Sequence, residues 1–169
     1  SNGLLQALPL ILSMAWNPAD PQRAIELLML PRSPIPRSVG RALAGALHEW
    51  PAVGSEDWNN AMAESLEKID DPERREQLRQ RLDTIFNPSL ARGKTYPVDE
   101  ISKRVSVLLG WIHGNLSQEN DSAPWAAAAT QCAALQELIG LSGYTSLSAP
   151  QLDNFLALSS DAIAPLSPF

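Results

Sequence analysis

Apolar residues recur along this chain at steps of three and four, the period of an amphipathic helix, and almost every run is closed by a proline or a capping residue. Leu4, Leu5, Leu8, Ile11, Leu12 and Ala15 form the first stripe, which Asn17-Pro18 ends; Pro9 inside it predicts a kink or a fresh start. Asp20-Pro21 is a helix start, because the carboxylate caps free amides and proline gives up an N–H that has no partner in a first turn. That second helix is expected to reach about Leu30.

Three prolines in the six residues Pro31-Arg32-Ser33-Pro34-Ile35-Pro36 then deny helical hydrogen bonding and predict a stiff extended connector. A helix over about Pro36 to Glu49 follows, with Val39, Leu43, Ala46, Leu47 and Trp50 at its apolar positions. Ser55 caps a fourth, where Trp58, Met62, Leu66 and Ile69 share a face. Asp71-Pro72 starts a fifth, striped by Leu78, Leu82, Ile85 and Phe86. Its Arg74, Arg75, Arg79 and Arg81 mix with Glu73, Glu76 and Asp83, the pattern of a solvated face. Beyond a polar loop to Tyr96-Pro97, Ile101, Val105, Leu108, Leu109 and Ile112 mark a sixth helix.

After the Asn120-Asp121-Ser122 break an alanine-rich helix spans about Pro124 to Gly140, and Ser148 with Gln151 forms a capping box for a last helix ending near Ser160. No β-branched run alternates with period two, so the expected fold class is all-α, an irregular bundle of roughly eight helices. The phases predict a core of Leu8, Ile11, Leu28, Leu43, Leu47, Met62, Leu66, Leu82, Ile85, Val105, Leu109, Leu135, Ile139, Leu152 and Phe155.

With 169 residues, 44% of them hydrophobic and 19% charged, the chain has the make-up of one globular domain, which buries roughly 70% of its unfolded surface. The opening Ser1-Asn2 reads as a scar of tag removal, and residues 3–169 as a single helical domain cut from a longer protein. A net charge of −6 opposes an autonomous nucleic-acid binder, which needs a basic face. The charge is uneven, though. In residues 1–50, Arg23, Arg32, Arg37 and Arg41 outnumber Asp20, Glu26 and Glu49. The lone Cys132 excludes an internal disulfide and a thiolate zinc cluster, and suits a cytoplasmic setting. The apolar opening is too short to span a bilayer, so no membrane partner is expected.

Catalytic signatures are missing. Arg92-Gly93-Lys94-Thr95 imitates the end of a phosphate-binding loop, but the position of the required first glycine is Pro88, which has no amide to offer. A PD-(D/E)XK nuclease centre needs a carboxylate two residues before a lysine, and Leu66, Arg92 and Ile101 stand there instead. His48 and His113 have no Cys or second His at ligand spacing, so no metal and no cofactor is expected, and the histidines read as helix-surface or partly buried side chains. The five tryptophans read as core and helix-end packing rather than ligand stackers.

Three stretches carry a resemblance: Ala24 to Pro36, Glu49 to Trp58, and Phe86-Asn87-Pro88 leading through Gly93 to Tyr96-Pro97-Val98. With the helical order, they resemble the all-helical middle region of bacterial RecB/AddB-type proteins, which join a helicase-like part to a PD-(D/E)XK nuclease. The resemblance implies a non-catalytic accessory domain of a DNA-repair helicase-nuclease, with ATP and nuclease sites elsewhere in the parent. Its implied partners are the rest of that chain and the DNA backbone, with no small-molecule ligand. Arg32, Arg37 and Arg41, on and just after the proline-rich connector, are the candidate DNA-binding residues, since arginine forks suit phosphate oxygens. Two other readings stand beside this one: surface pairing of these arginines with Glu26, Glu49 or nearby carboxylates, and a helical protein-interaction or scaffold domain unrelated to DNA.

Overall fold

The computed structural model describes residues 3–118 and 121–163. Ser1 and Asn2, and Asn120 of the expected interhelical break, lie outside them. The fold is all-α, with eight helices among the described residues and only two-residue strands. No helix is long and apolar enough to cross a membrane. The chain divides into two compact units, Leu10–Arg92 and Ser1–Pro9 with Gly93–Phe169. Helix α1 (Leu4–Ser13) belongs partly to each and continues through Pro9 without restarting.

In the unit Leu10–Arg92, α2 (Pro21–Leu28), α3 (Arg37–Glu49), α4 (Glu56–Glu67) and α5 (Pro72–Ile85) begin where local chemistry dictates. The side chains of Asp20, Ser55 and Asp71 accept from the backbone N–H of Gln22, Trp58 and Glu73, satisfying amides that a helix leaves unpaired in its first turn. Helix α2 stops at Leu28, two residues short of the expected end, with Met29 as its C-cap. Helix α3 packs on both α2 and α4. Ile11, Leu27, Leu43, Leu82 and Ile85 are fully buried at the centre, and Trp58 meets Phe86 edge-on with ring centroids 4.9 Å apart. Such a pair adds about 1 kcal/mol to the area it buries.

The two ends of this unit are tied together. Strand β1 (Trp16–Asn17) pairs in parallel with β2 (Leu90–Ala91), and Arg92 donates to the Pro18 carbonyl through Nε at 3.0 Å and Nη2 at 2.6 Å.

In the other unit, α6 (Val98–Leu116) packs on α7 (Ala123–Ser142), and α7 on α8 (Ala149–Asp161). Alanine at positions such as Ala128 lets α7 approach its neighbours, and Trp125 stacks edge-on against Trp111 with centroids 4.9 Å apart. Gly143, at φ 75°, ends α7 in the left-handed conformation that glycine adopts without steric cost. Both halves of the Ser148–Gln151 capping box form ahead of α8. Strand β3 (Tyr96–Pro97) pairs antiparallel with β4 (Ser146–Leu147).

Of the fifteen residues expected in the core, Met62, Leu109 and Phe155 are only half-buried; the other twelve are buried. Trp50 departs furthest from expectation. It is 61% exposed, because its backbone turns extended at the C-cap of α3 (φ −142°, ψ 113°) and leaves the helical phase that placed it inside.

Candidate functional site

The connector that carries Arg32 is held in place by its own backbone chemistry and by one distant side chain. Ser33 Oγ accepts from the Ile35 N–H at 3.2 Å, and Ile35 is buried at the base of the connector. Arg81, on the last turns of α5, donates through Nη1 to the Pro34 carbonyl at 2.8 Å. Proline fixes φ at three of the six positions, so little conformational freedom is left. Arg32 itself is exposed.

Helix α3 starts directly from this connector. Its N-cap is Pro36, which offers no side-chain hydrogen bond, and its first turn holds no acidic residue. Arg37 is the first helical residue, at the end of the helix where the macrodipole already favours anions. Arg41 lies one turn on, about 6 Å along the axis and rotated by roughly 40°. Both are exposed, and the exposed arc continues through Gly45 to His48. Glu49, at the edge of the arc, is its one carboxylate. Among the described residues, neither Arg37 nor Arg41 is ion-paired with Glu26 or Glu49. Arg32, Arg37 and Arg41 are thus exposed residues of one stretch of chain, the connector and the first turns of α3.

The arginines of α5 do several different things. Arg79 bridges Glu76 and Asp83, the latter at 2.7 Å, on a solvated surface; hydrogen bonding to Arg79 holds the Glu76 carboxyl below its usual range. Arg75 donates from Nε to the Ile69 carbonyl at 3.0 Å. Arg81 is half-buried, and burial lowers its pKa. The expected solvated face therefore describes Arg79 and the exposed Arg74, while Arg75 and Arg81 pin backbone carbonyls.

A second polar cluster lies in the other unit. Arg104 is 1% exposed, and its Nη1 donates to Glu100 Oε2 at 3.1 Å and to the Glu100 carbonyl at 3.2 Å. Lys103 reaches the other oxygen of the same carboxylate at 2.9 Å. Hydrogen bonding from Lys103, opposed by partial burial and aided by Arg104, keeps the Glu100 carboxyl below its usual range. Tyr96, fully buried and beside Arg104, has its phenol pushed up to about 12, chiefly by burial. This group fastens β3 to the first turns of α6 and holds the Arg104 guanidinium inside the fold. Arg104 follows Ile101 by three and precedes Leu108 by four, so its place on the apolar stripe of α6 was the sequence signal for burial.

The Arg92-Gly93-Lys94-Thr95 segment is an exposed turn with Gly93 at φ 82°, as its composition predicts. His48 and His113 are both exposed. Among the described residues, no group of three or more His, Cys, Asp or Glu is placed to hold a metal ion. Trp58 and Trp125 are buried and Trp16 and Trp111 half-buried, which leaves Trp50 as the tryptophan that core packing does not account for. No family model matches the chain, and no characterised protein or solved structure matches it either.

Proposed function

We propose that this chain is a non-catalytic helical accessory domain of a cytoplasmic DNA-repair helicase-nuclease, set against the DNA backbone by Arg32, Arg37 and Arg41. One observation carries the reading: three exposed arginines sit on a proline-stiffened connector and the uncapped start of α3, within an otherwise acidic chain. Arginines held on a rigid support lose little entropy when they meet phosphate oxygens. Contacts of this kind position a domain along DNA without reading sequence. The motor and nuclease chemistry belongs, in this reading, to the remainder of the parent protein.

The experiment is fluorescence anisotropy of the 169-residue chain with a labelled duplex at low salt, comparing wild type with the Arg32→Ala, Arg37→Ala, Arg41→Ala variant. Three phosphates at most are neutralised, so log K should fall with log salt at a slope no steeper than about −3. The variant should lose both the affinity and the slope. Equal affinity and slope for the two proteins would remove the arginines from the function. That result would favour a protein-interaction domain, the reading to which the exposed Trp50 and Met29, 61% and 54% accessible, lend support.

A further inference from the structure

Arg81 spends its guanidinium on a residue 47 positions away, whereas Arg75 and Arg79 bond within their immediate neighbourhood. Its acceptor, the Pro34 carbonyl, lies two residues after Arg32 and three before Arg37. Pro34 is buried, as is the Ile35 side chain beside it, so the middle of the connector is anchored to the body of the unit while its flanks stay exposed. Without the donor from α5, the carbonyl of the buried Pro34 would be an acceptor with no bond from that side, and the connector would gain freedom. A charged donor to a neutral carbonyl is also stronger than an uncharged one, which suits a single-point anchor.

We infer that Arg81 is the positioning residue of the basic face, pinning the connector so that Arg32 and Arg37 meet a phosphodiester backbone already in place. This rests on the proposed DNA contact and adds the device that preorganises it. Arg81 touches no phosphate in this arrangement. It acts through the Pro34 carbonyl, and its effect on binding is the ordering of two neighbours rather than a charge delivered to the ligand.

The test uses Arg81→Met, which keeps an unbranched apolar stem and donates nothing, and Arg81→Lys, which restores a charged donor. Both are titrated as the 169-residue chain against the same labelled duplex, at a temperature where circular dichroism shows them fully folded. Arg81→Met should bind roughly three- to tenfold more weakly while keeping the wild-type salt slope, since no phosphate contact is removed. Arg37→Ala, by contrast, should reduce the magnitude of the slope by about 0.9. Arg81→Lys should recover most of the lost affinity. A purely structural role would change the melting temperature and leave the affinity of the folded protein alone, and that result overturns the inference. So does a slope reduced by about one unit in Arg81→Met, which would make Arg81 a phosphate contact. Loss of binding in the triple arginine variant with wild-type affinity in Arg81→Met sinks this inference and leaves the proposed function standing. Failure of the wild-type chain to bind removes both.

Discussion

The carbonyl oxygen of Leu28 occupies the space that a β-carbon on Gly40 would need: an ideal Cβ built there lies 2.7 Å from it. Gly40 sits inside α3, where alanine is normally the better residue by about 1 kcal/mol. The end of α2 has instead been packed directly onto the α3 backbone. Glycine at this position is a packing requirement, because the obstructing atom is main chain and cannot rotate away.

Gly40→Ala should therefore destabilise the protein by about 1–3 kcal/mol, the scale of an overpacked core. Gly45, in the same helix but exposed with nothing within 4 Å of its virtual Cβ, supplies the control. Gly45→Ala should stabilise by about 0.5–1 kcal/mol. Urea unfolding followed by circular dichroism measures both, and equal signs for the two variants would contradict the close approach of α2 to α3.

Alkaline pH should act on Tyr96. Its folded pKa of about 12 lies above the ordinary value of 10, so the neutral phenol favours the folded state. The contribution is complete below pH 10 and is lost as pH rises through 12. Tyr96→Phe should flatten the fall in stability over that window, read as the urea midpoint at a series of pH values. An unchanged profile would mean that the phenol is not buried.

Acid should act on Glu100 with the opposite sign. Its carboxyl is held below the normal range by Lys103 and Arg104, so its contribution is present above the unfolded pKa and disappears as pH falls through the folded one. Glu100→Gln should lower stability at neutral pH and narrow the gap to wild type in acid. A constant difference across the acid limb would exclude this linkage.

Cys132 should be inert in the native protein. It is fully buried, and burial pushes its thiol up to about 12, leaving little of the reactive thiolate at neutral pH. Labelling with a thiol-specific chromogenic disulfide at pH 8 should be slow until denaturant is added, then reach one equivalent. Rapid labelling without denaturant would place Cys132 at an accessible surface.

The isolated chain should hydrolyse neither ATP nor DNA with magnesium present, since it has neither a phosphate-cradling loop nor the carboxylate–lysine spacing of the nuclease centre. Turnover that co-purifies with the chain through several columns would overturn this expectation.

Features fixed by neighbours in sequence were legible without coordinates. Asp20, Ser55, Asp71 and Ser148 cap helices through atoms two or three residues away, so the residue type carries the geometry. Periodicity places Trp50 inside because it assumes that the helix continues, and one extended residue cancels that assumption. The strand pairs at Trp16 with Leu90 and Tyr96 with Leu147 rest on backbone groups, which leave no side-chain pattern to read. The bond from Arg81 to Pro34 was invisible for a related reason. In the sequence Arg81 is one arginine among several on a charged helix, and only the tertiary approach of α5 to the connector separates it from Arg79.

The clasp formed by β1, β2 and Arg92 has a developmental side. The unit Leu10–Arg92 is continuous in sequence, and the bonds from Arg92 to Pro18 join residues 74 positions apart. On a ribosome the first strand of that clasp must wait, unmatched, until the last has emerged. Helices α2 to α5 can form from nearby contacts during this delay, and the clasp then closes over elements already built, when they have shortened the effective loop.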